Sequence, residues 1–271
     1  MTRFLASIPS PPINDFHVGP LRVTFYGIFI MTGVVIAWIV IRNRFVERGG
    51  DVEVAERIVI RVVAYGFLGA RLAYVSTHLS SFEGELWKVI AIWEGGLALF
   101  GGLTAGAIVM YVYTKKWNAS FPDFLDSAAP AVPLAQAMGR LGNYFNQELF
   151  GTPTDLPWGL EIEPQFRPAE FADAETFHPT FLYEGLWNVA LAFFIMWLGR
   201  RHPSLRGRLI GVYFLGYGFI RFIMELIRTD TTYRILGLSR NGWVSIGVVI
   251  LGALVLWWKR VKVEEDRYTL V

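Results

Sequence analysis

The chain has 271 residues, 54% of them hydrophobic, with a mean hydropathy of +0.40, ten tryptophans and no cysteine. The missing cysteines exclude disulfides, thiolate metal sites and a cysteine-based covalent intermediate on the protein itself. The formal net charge of +2 is too small to argue for a nucleic-acid partner.

Three stretches, 23–41, 95–114 and 241–258, carry no charged residue. Each is long enough to cross roughly 30 Å of hydrocarbon as a helix. They are continuously apolar rather than alternating, which argues against barrel strands. The expectation is an all-α integral membrane protein.

In chain order, the first twenty residues, with Pro9, Pro11, Pro12 and Asp15, lack the basic start and apolar centre of a cleavable signal. Seven spans are predicted, at about 21–41, 58–78, 95–114, 123–143, 180–199, 208–228 and 242–258. The second, fourth and sixth contain ionisable residues. The segment 82–93, "FEGELWKVIAIW", reads as a short amphipathic helix along the outer interface. The long connection 151–177 has four prolines and six acidic residues, too polar and broken for a span. It is expected to form a small outward-facing cap inserted in one membrane domain, 1–271. No internal repeat is visible.

The basic residues orient the spans. Arg42, Arg44, Arg48, Arg57, Lys115, Lys116, Arg200, Arg201, Arg206, Arg208, Lys259, Arg260, Lys262 and Arg267 fall on one side, fourteen in all. Arg3, Arg22, Lys88, Arg167, Arg228, Arg234 and Arg240, seven in all, fall on the other. The positive-inside rule then puts the N-terminus outside and the C-terminus in the cytoplasm.

This topology converts sequence position into depth. At about 1.5 Å of rise per residue, Arg71 and Arg221 lie ~20 Å along the second and sixth spans from the inner side, and Arg140 ~25 Å along the fourth. Tyr26 is ~8 Å into the first span from the outer side, and Tyr183 and Glu184 are ~5 Å into the fifth. Separate spans thus bring polar groups to one level in the outer half of the bilayer. Charges there need partners or a polar cavity.

Glu225, four residues after Arg221 and three before Arg228, shares their helix face. Arg221–Glu225 and Arg140–Glu148 could be structural ion pairs, but three arginines exceed the nearby acids. A surplus of guanidinium suits an anionic ligand, since its planar fork matches phosphate and never deprotonates. A phospholipid headgroup is the available phosphate at that depth. Asn143 and Asn146, three apart, would face its hydroxyls or ester carbonyls, and Gly139 and Gly142 would permit close approach. Arg61, near the inner end of its span, can snorkel.

Several blocks resemble the bacterial prolipoprotein diacylglyceryl transferases: "GRLGNYFNQELFG" (139–151), "FYGIFI" (25–30), "GARLAYV" (69–75), "WEGGLALFGG" (93–102), "HPTFLYEGLWN" (178–188) and "GYGFIRFIMELIRTD" (216–230). The resemblance implies a bacterial inner-membrane enzyme of seven transmembrane helices whose site opens to the outer leaflet. It implies transfer of diacylglyceryl from phosphatidylglycerol to the lipobox cysteine of a prolipoprotein, with release of glycerol phosphate and no cofactor. Family positions carry over to Tyr26, Arg140, Asn143, Asn146, Glu148, Gly151, Tyr217, Arg221 and Glu225. His178 and Glu184 fall in the fifth-span block and Arg71 in the second-span block. Phe100 stands where many members have histidine; with every other block intact, that histidine is read as dispensable or replaced.

The reaction implied is an alkylation of a thiolate with a phosphate ester leaving. Arg140 and Arg221 would stabilise the growing phosphate charge and favour the thiolate, with Glu225 bracing Arg221 and Tyr26 donating to a phosphate oxygen. His178, at the outer mouth of the fifth span, is the candidate base, or else simply starts that helix. No ligand spacing suggests a metal. A flippase or transporter for a phosphate-bearing lipid is the alternative, though it would favour repeated halves; a seven-span receptor would need cytoplasmic coupling surfaces.

Overall fold

The computed structural model describes residues 7–91, 95–229 and 234–257. Arg3, Trp93, Glu94, Asp230, Trp258 and the basic segment 259–271 lie outside the described residues. Seven α-helices account for most of the rest: α1 (Phe25–Glu47), α2 (Val52–Thr77), α3 (Leu99–Lys116), α4 (Phe121–Phe145), α5 (Thr180–Arg201), α6 (Leu209–Ile227) and α7 (Arg240–Trp257).

Of these, α1, α2, α5, α6 and α7 are long and apolar enough to cross a membrane, by length and composition. The other two depart from that set for legible reasons. Residues 95–98, expected to be helical, are not, because Gly95 and Gly96 take φ of +89° and +73°. The shortened α3 then has Lys115 and Lys116 within its 18 residues. Helix α4 carries Asp123, Asp126 and Arg140, and two prolines in its interior, Pro130 and Pro133.

Two further boundaries move. Residues 21–24 form a strand, β2 (Leu21–Thr24), paired antiparallel with β1 (Asp15–Val18). Gly19 at φ +60° turns the chain between them. Helix α1 therefore starts at Phe25, where the Thr24 hydroxyl accepts from the Gly27 N–H at 3.1 Å. The predicted amphipathic helix is instead two short 3₁₀ turns, Leu79–Phe82 and Leu86–Ile90. Gly84, at φ +85°, separates them. Phe82 is buried while Leu86, Trp87 and Ile90 are exposed.

The chain divides into two compact units. In the unit 38–127, Phe45, Ala55, Ile58, Val59 and Phe124 form an apolar core. Helices α2 and α3 touch at glycines: a Cβ on Gly69 would come 2.8 Å from the Gly101 carbonyl oxygen. Two backbones meet there with no side chain between them. Arg71, expected to face a headgroup, does something else. Its buried guanidinium donates to the carbonyls of Lys88, Val89 (2.8 Å), Gly95 (2.6 Å) and Gly96 (2.9 Å). It thus staples the turn before α3 and leaves little donor capacity for a ligand.

The second unit, 1–37 with 128–271, holds the remaining helices. The N-terminal half of α1 packs on α4, where a Cβ on Gly33 would come 3.0 Å from the Ala135 carbonyl oxygen. Helix α6 packs on α5 and α7, with Gly211 and Gly252 face to face. The connection 151–177 is folded. Its strands β3 (Leu160–Glu161) and β4 (Thr176–Phe177) pair antiparallel over a core of Phe150, Leu160, Ile162 and Phe177. Ile8 adds to the β3 edge through backbone bonds of 2.9 Å to Gly159 and Glu161. A last hairpin, β5 (Arg234–Ile235) with β6 (Leu238–Ser239), leads into α7.

The Arg71 staple can be tested at its glycines. Gly95→Ala meets only the left-handed backbone cost, about 1–2 kcal/mol, since a Cβ there finds open space. Gly96→Ala adds an overlap with Arg71 Nη1 at 2.7 Å and the Tyr74 ring at 2.6 Å. In thermal melts of the purified protein, Gly96→Ala should therefore fall below Gly95→Ala, and equal melting would remove the staple.

Candidate active site

The ends of three helices are brought to one level by the chain that follows α4. The Gly151 N–H donates to the His178 carbonyl (3.0 Å), the His178 N–H to Thr152 (3.0 Å), and the Thr152 N–H to the Ile227 carbonyl at the end of α6 (2.7 Å). The Thr180 hydroxyl, in the first turn of α5, donates to the Leu149 carbonyl. Gly151 sits where these strands cross. A Cβ would lie 2.7 Å from His178 Cβ and 3.1 Å from the Ile227 carbonyl oxygen. Its expected role toward substrate is thus accompanied by a plain steric need for glycine.

Helical spacing then puts charge at this junction: Arg140 and Asn143 near the end of α4, Glu184 in the second turn of α5, and Arg221 and Glu225 near the end of α6. Glu184 is fully buried and takes both guanidiniums. Oε2 pairs with Arg140 Nη2, and Oε1 lies 3.6 Å from Arg221 Nη1. Arg221 Nη2 also pairs with Glu225 Oε2 at 2.7 Å. Glu225 Oε1 accepts from the Ser239 hydroxyl at 2.6 Å, and that oxygen accepts the Gly242 N–H of α7 at 2.9 Å.

On the other side, Arg140 Nη1 donates to Asn143 Oδ1 at 3.2 Å. The amides of Asn143 and Asn146 both donate to Glu148 Oε1, at 2.8 and 3.1 Å. One polar chain thus runs Asn146–Glu148–Asn143–Arg140–Glu184–Arg221–Glu225–Ser239 and links α4, α5, α6 and α7.

Two expectations change. Arg140 and Glu148 are not a direct ion pair; Asn143 stands between them. Nor does the chain carry surplus positive charge, because its three carboxylates, Glu148, Glu184 and Glu225, outnumber its two guanidiniums. The acid that balances Arg140 comes from α5 rather than from its own helix.

Tyr26 lies with its ring on Gly142, whose Cβ would come 2.7 Å from Cδ2, and within range of the Arg140 and Glu148 charges. Tyr217 is within range of Arg140, Glu184, Arg221 and Arg228, and stacks on Tyr213. His178 Nδ1 is 3.3 Å from the Tyr183 hydroxyl, which accepts from Trp158 Nε1–H at 3.0 Å. Phe100 lies on an exposed face of α3 in the other unit.

Three residues escaped the sequence reading. Ser239 could have been found as a serine just before an apolar helical run, the usual N-cap pattern. Asn188 and Gln136 sit four residues from Glu184 and Arg140, on the same helix faces. Asn188 is fully buried with neither side-chain polar atom hydrogen-bonded, and Gln136 Oε1 is likewise unpartnered. Such groups cost about 1–3 kcal/mol each when left unpaired.

Chemically, the site offers two guanidiniums that share one carboxylate, backed by further carboxylates and amides. That set suits a phosphate oxygen cluster.

A family model described as prolipoprotein diacylglyceryl transferase matches residues 14–258. The phosphatidylglycerol–prolipoprotein diacylglyceryl transferase 2 of Streptomyces coelicolor is 41% identical over 253 residues, covering 92% of this chain and 80% of its own. The phosphatidylglycerol–prolipoprotein diacylglyceryl transferase of Cutibacterium acnes is 43% identical over 253 residues, with 92% and 85% covered. That of Leifsonia xyli is 39% identical over 288 residues, with 99% and 84% covered. The matched range spans all seven helices, and the protein belongs to the prolipoprotein diacylglyceryl transferase family.

Proposed function

We propose that this chain transfers the diacylglyceryl group of phosphatidylglycerol to the thiol of a prolipoprotein's lipobox cysteine, the first step of bacterial lipoprotein maturation. The observation that carries the reading is Glu184, a buried carboxylate holding Arg140 and Arg221 from different helices. In its setting, a lipid phosphate offers the same guanidiniums the same geometry. The family membership supplies the substrate class.

In the reaction the thiolate sulfur attacks the glyceryl carbon that bears phosphate. A carbon–sulfur bond forms as the carbon–oxygen bond breaks, and the electron pair stays on the phosphate oxygen of the departing glycerol phosphate. Arg140 and Arg221 hold that oxygen cluster as its charge grows, in a site with little water. Asn143 and Asn146 hydrogen-bond the headgroup, with Glu148 fixing both amides, and Tyr26 and Tyr217 add hydroxyls.

Phosphate entering between the guanidiniums displaces Glu184 from at least one of them. The vacated carboxylate is a proton acceptor inside the site, and it takes the thiol proton. His178 is bonded to Tyr183 and braced in the backbone junction, so it positions the mouth of the site.

The membrane arrangement extends this reading. The protein spans the bacterial inner membrane seven times, α3 and α4 being spans in addition to the five more apolar helices. The N-terminus is outside and the C-terminus cytoplasmic, by the distribution of basic residues. The folded connection 151–177 caps the outer face, over the level of Arg140 and Arg221. Since the chain has no cysteine, single cysteines report the sides cleanly. In intact spheroplasts, Asp155→Cys should react with a membrane-impermeant maleimide and Ser204→Cys should not; the reverse pattern would invert the topology.

Transfer itself is read by incubating purified protein with phosphatidylglycerol and a lipobox peptide. A transferase yields a thioether adduct and free glycerol phosphate, whereas a flippase for the same lipid yields neither. Arg140→Ala and Arg221→Ala should each lower adduct formation by about 100-fold or more while the protein still inserts. Arg221→Lys should recover only part of the rate, because the planar fork is lost.

The proton acceptor is separated by two variants. Glu184→Gln should cost about 100-fold or more in turnover, and His178→Asn should stay within about threefold across pH 6–9. The opposite ranking would give the base role to His178.

A further inference from the structure

Below the ionic chain the same three helices carry a second polar layer. Gln136 precedes Arg140 by four residues on α4, Asn188 follows Glu184 by four on α5, and Tyr213 precedes Tyr217 by four on α6. Because α4 and α6 end at the junction where α5 begins, all three steps lead one turn, about 5–6 Å, the same way into the bundle. Cross-contacts confirm the levels. A Cβ on Gly185 would lie 3.9 Å from the Arg140 Cβ, and Trp187 Nε1–H donates to the Gly216 carbonyl at 2.9 Å.

Gln136 lies within range of the Tyr213 hydroxyl, and its Oε1 has no partner. Asn188 leaves both Nδ2 and Oδ1 unpartnered at zero exposure. Nothing in helix packing calls for an amide there, since leucine has nearly the same volume and no polar atoms to satisfy. Two acceptor oxygens and an N–H donor, buried one turn past the guanidiniums, lack only a group that both donates and accepts.

We infer that Gln136, Asn188 and Tyr213 form a hydroxyl-binding layer beneath the Arg140–Glu184–Arg221 site. The occupant is a hydroxyl group, either that of a trapped water or that of the lipid's own polyol headgroup reaching past its phosphate. If the headgroup fills the layer, these residues determine lipid specificity, because an amide pair left empty penalises a lipid with no hydroxyl to offer. If water fills it, the layer holds Glu184 and Arg140 in place through a bridging hydrogen bond. The inference rests on the reading of this bundle as the lipid site.

The test uses full-length protein in lipid nanodiscs, assayed with a lipobox peptide against phosphatidylglycerol and against phosphatidylethanol, whose headgroup has no hydroxyl. Asn188→Leu and Gln136→Met are each compared with the unaltered chain, with melting temperature recorded alongside. Loss of about tenfold or more on phosphatidylglycerol with little loss on phosphatidylethanol, at an unchanged or raised melting temperature, assigns the headgroup. Equal loss of about tenfold on both lipids, with melting held, assigns the water.

Unchanged turnover on both lipids overturns the layer, and so does a loss that tracks a lowered melting temperature with the lipid ratio intact. Failure of the unaltered chain to form any adduct would instead defeat the transferase reading. In that case, tighter binding of phosphatidylglycerol than of phosphatidylethanol, lost in Asn188→Leu, still reports on the layer, and no such difference overturns it.

Discussion

The tips of α4, α5 and α6 converge because one carboxylate has two cations to satisfy. Glu184 is buried among apolar helix, and it could not stay charged there without Arg140 on one side and Arg221 on the other. The dependence is mutual. Removing the carboxylate would strand two guanidiniums in a low-dielectric setting, a change that typically costs about 3–5 kcal/mol. Side-chain charge therefore does what apolar packing does poorly between membrane helices, where lipid tails compete equally for every leucine. Everything around the site inherits its geometry from this bridge: Asn143 and Glu148 extend it along α4, and Glu225 and Ser239 carry it to the start of α7.

The comparison with Arg71 shows that an intramembrane arginine has no fixed meaning. Arg71 and Arg140 look alike in the sequence, each near a glycine and within a predicted span. Arg71 meets backbone carbonyls released by the positive-φ turn at Gly95 and Gly96, and its donors are consumed in holding that turn. Arg140 meets side-chain acceptors, a carboxylate and an amide, which can let go of it when a stronger ligand arrives. Backbone carbonyls cannot withdraw without undoing the fold. The difference between a structural and a functional guanidinium here lies in the exchangeability of its partners.

Much of this was legible in residue patterns. Uncharged runs located the helices, and helical spacing grouped Arg221 with Glu225 and Asn143 with Asn146. The conversion of sequence position to depth put Arg140, Glu184 and Arg221 at one level before any coordinates. What could not be read was pairing between helices. Sequence offered Glu148 to Arg140 as the near acid, whereas the helix geometry puts Asn143 between them and brings Glu184 from forty-four residues away. The supposed excess of positive charge was a product of counting neighbours along the chain. The loss of helix at residues 21–24 and 95–98 was equally hidden, because it depends on a hairpin and on left-handed glycines rather than on hydropathy.

Carboxylates set among the guanidiniums solve a problem that a bare cluster of arginines would create. Uncompensated guanidiniums at membrane depth would be costly to insert and would attract any passing anion. With carboxylates in place, the cations are held preorganised. In the proposed reaction a lipid phosphate enters by exchange, giving the guanidiniums a new pair of oxygens and freeing the carboxylate for proton chemistry. Because the exchange swaps one anion for another, the phosphate contributes little net affinity by charge alone. On that proposal, discrimination among anionic lipids falls to neutral groups that the exchange does not touch, and in this bundle those are amides and hydroxyls: Asn143 and Asn146 beside the guanidiniums, and Gln136, Asn188 and Tyr213 one turn beneath them.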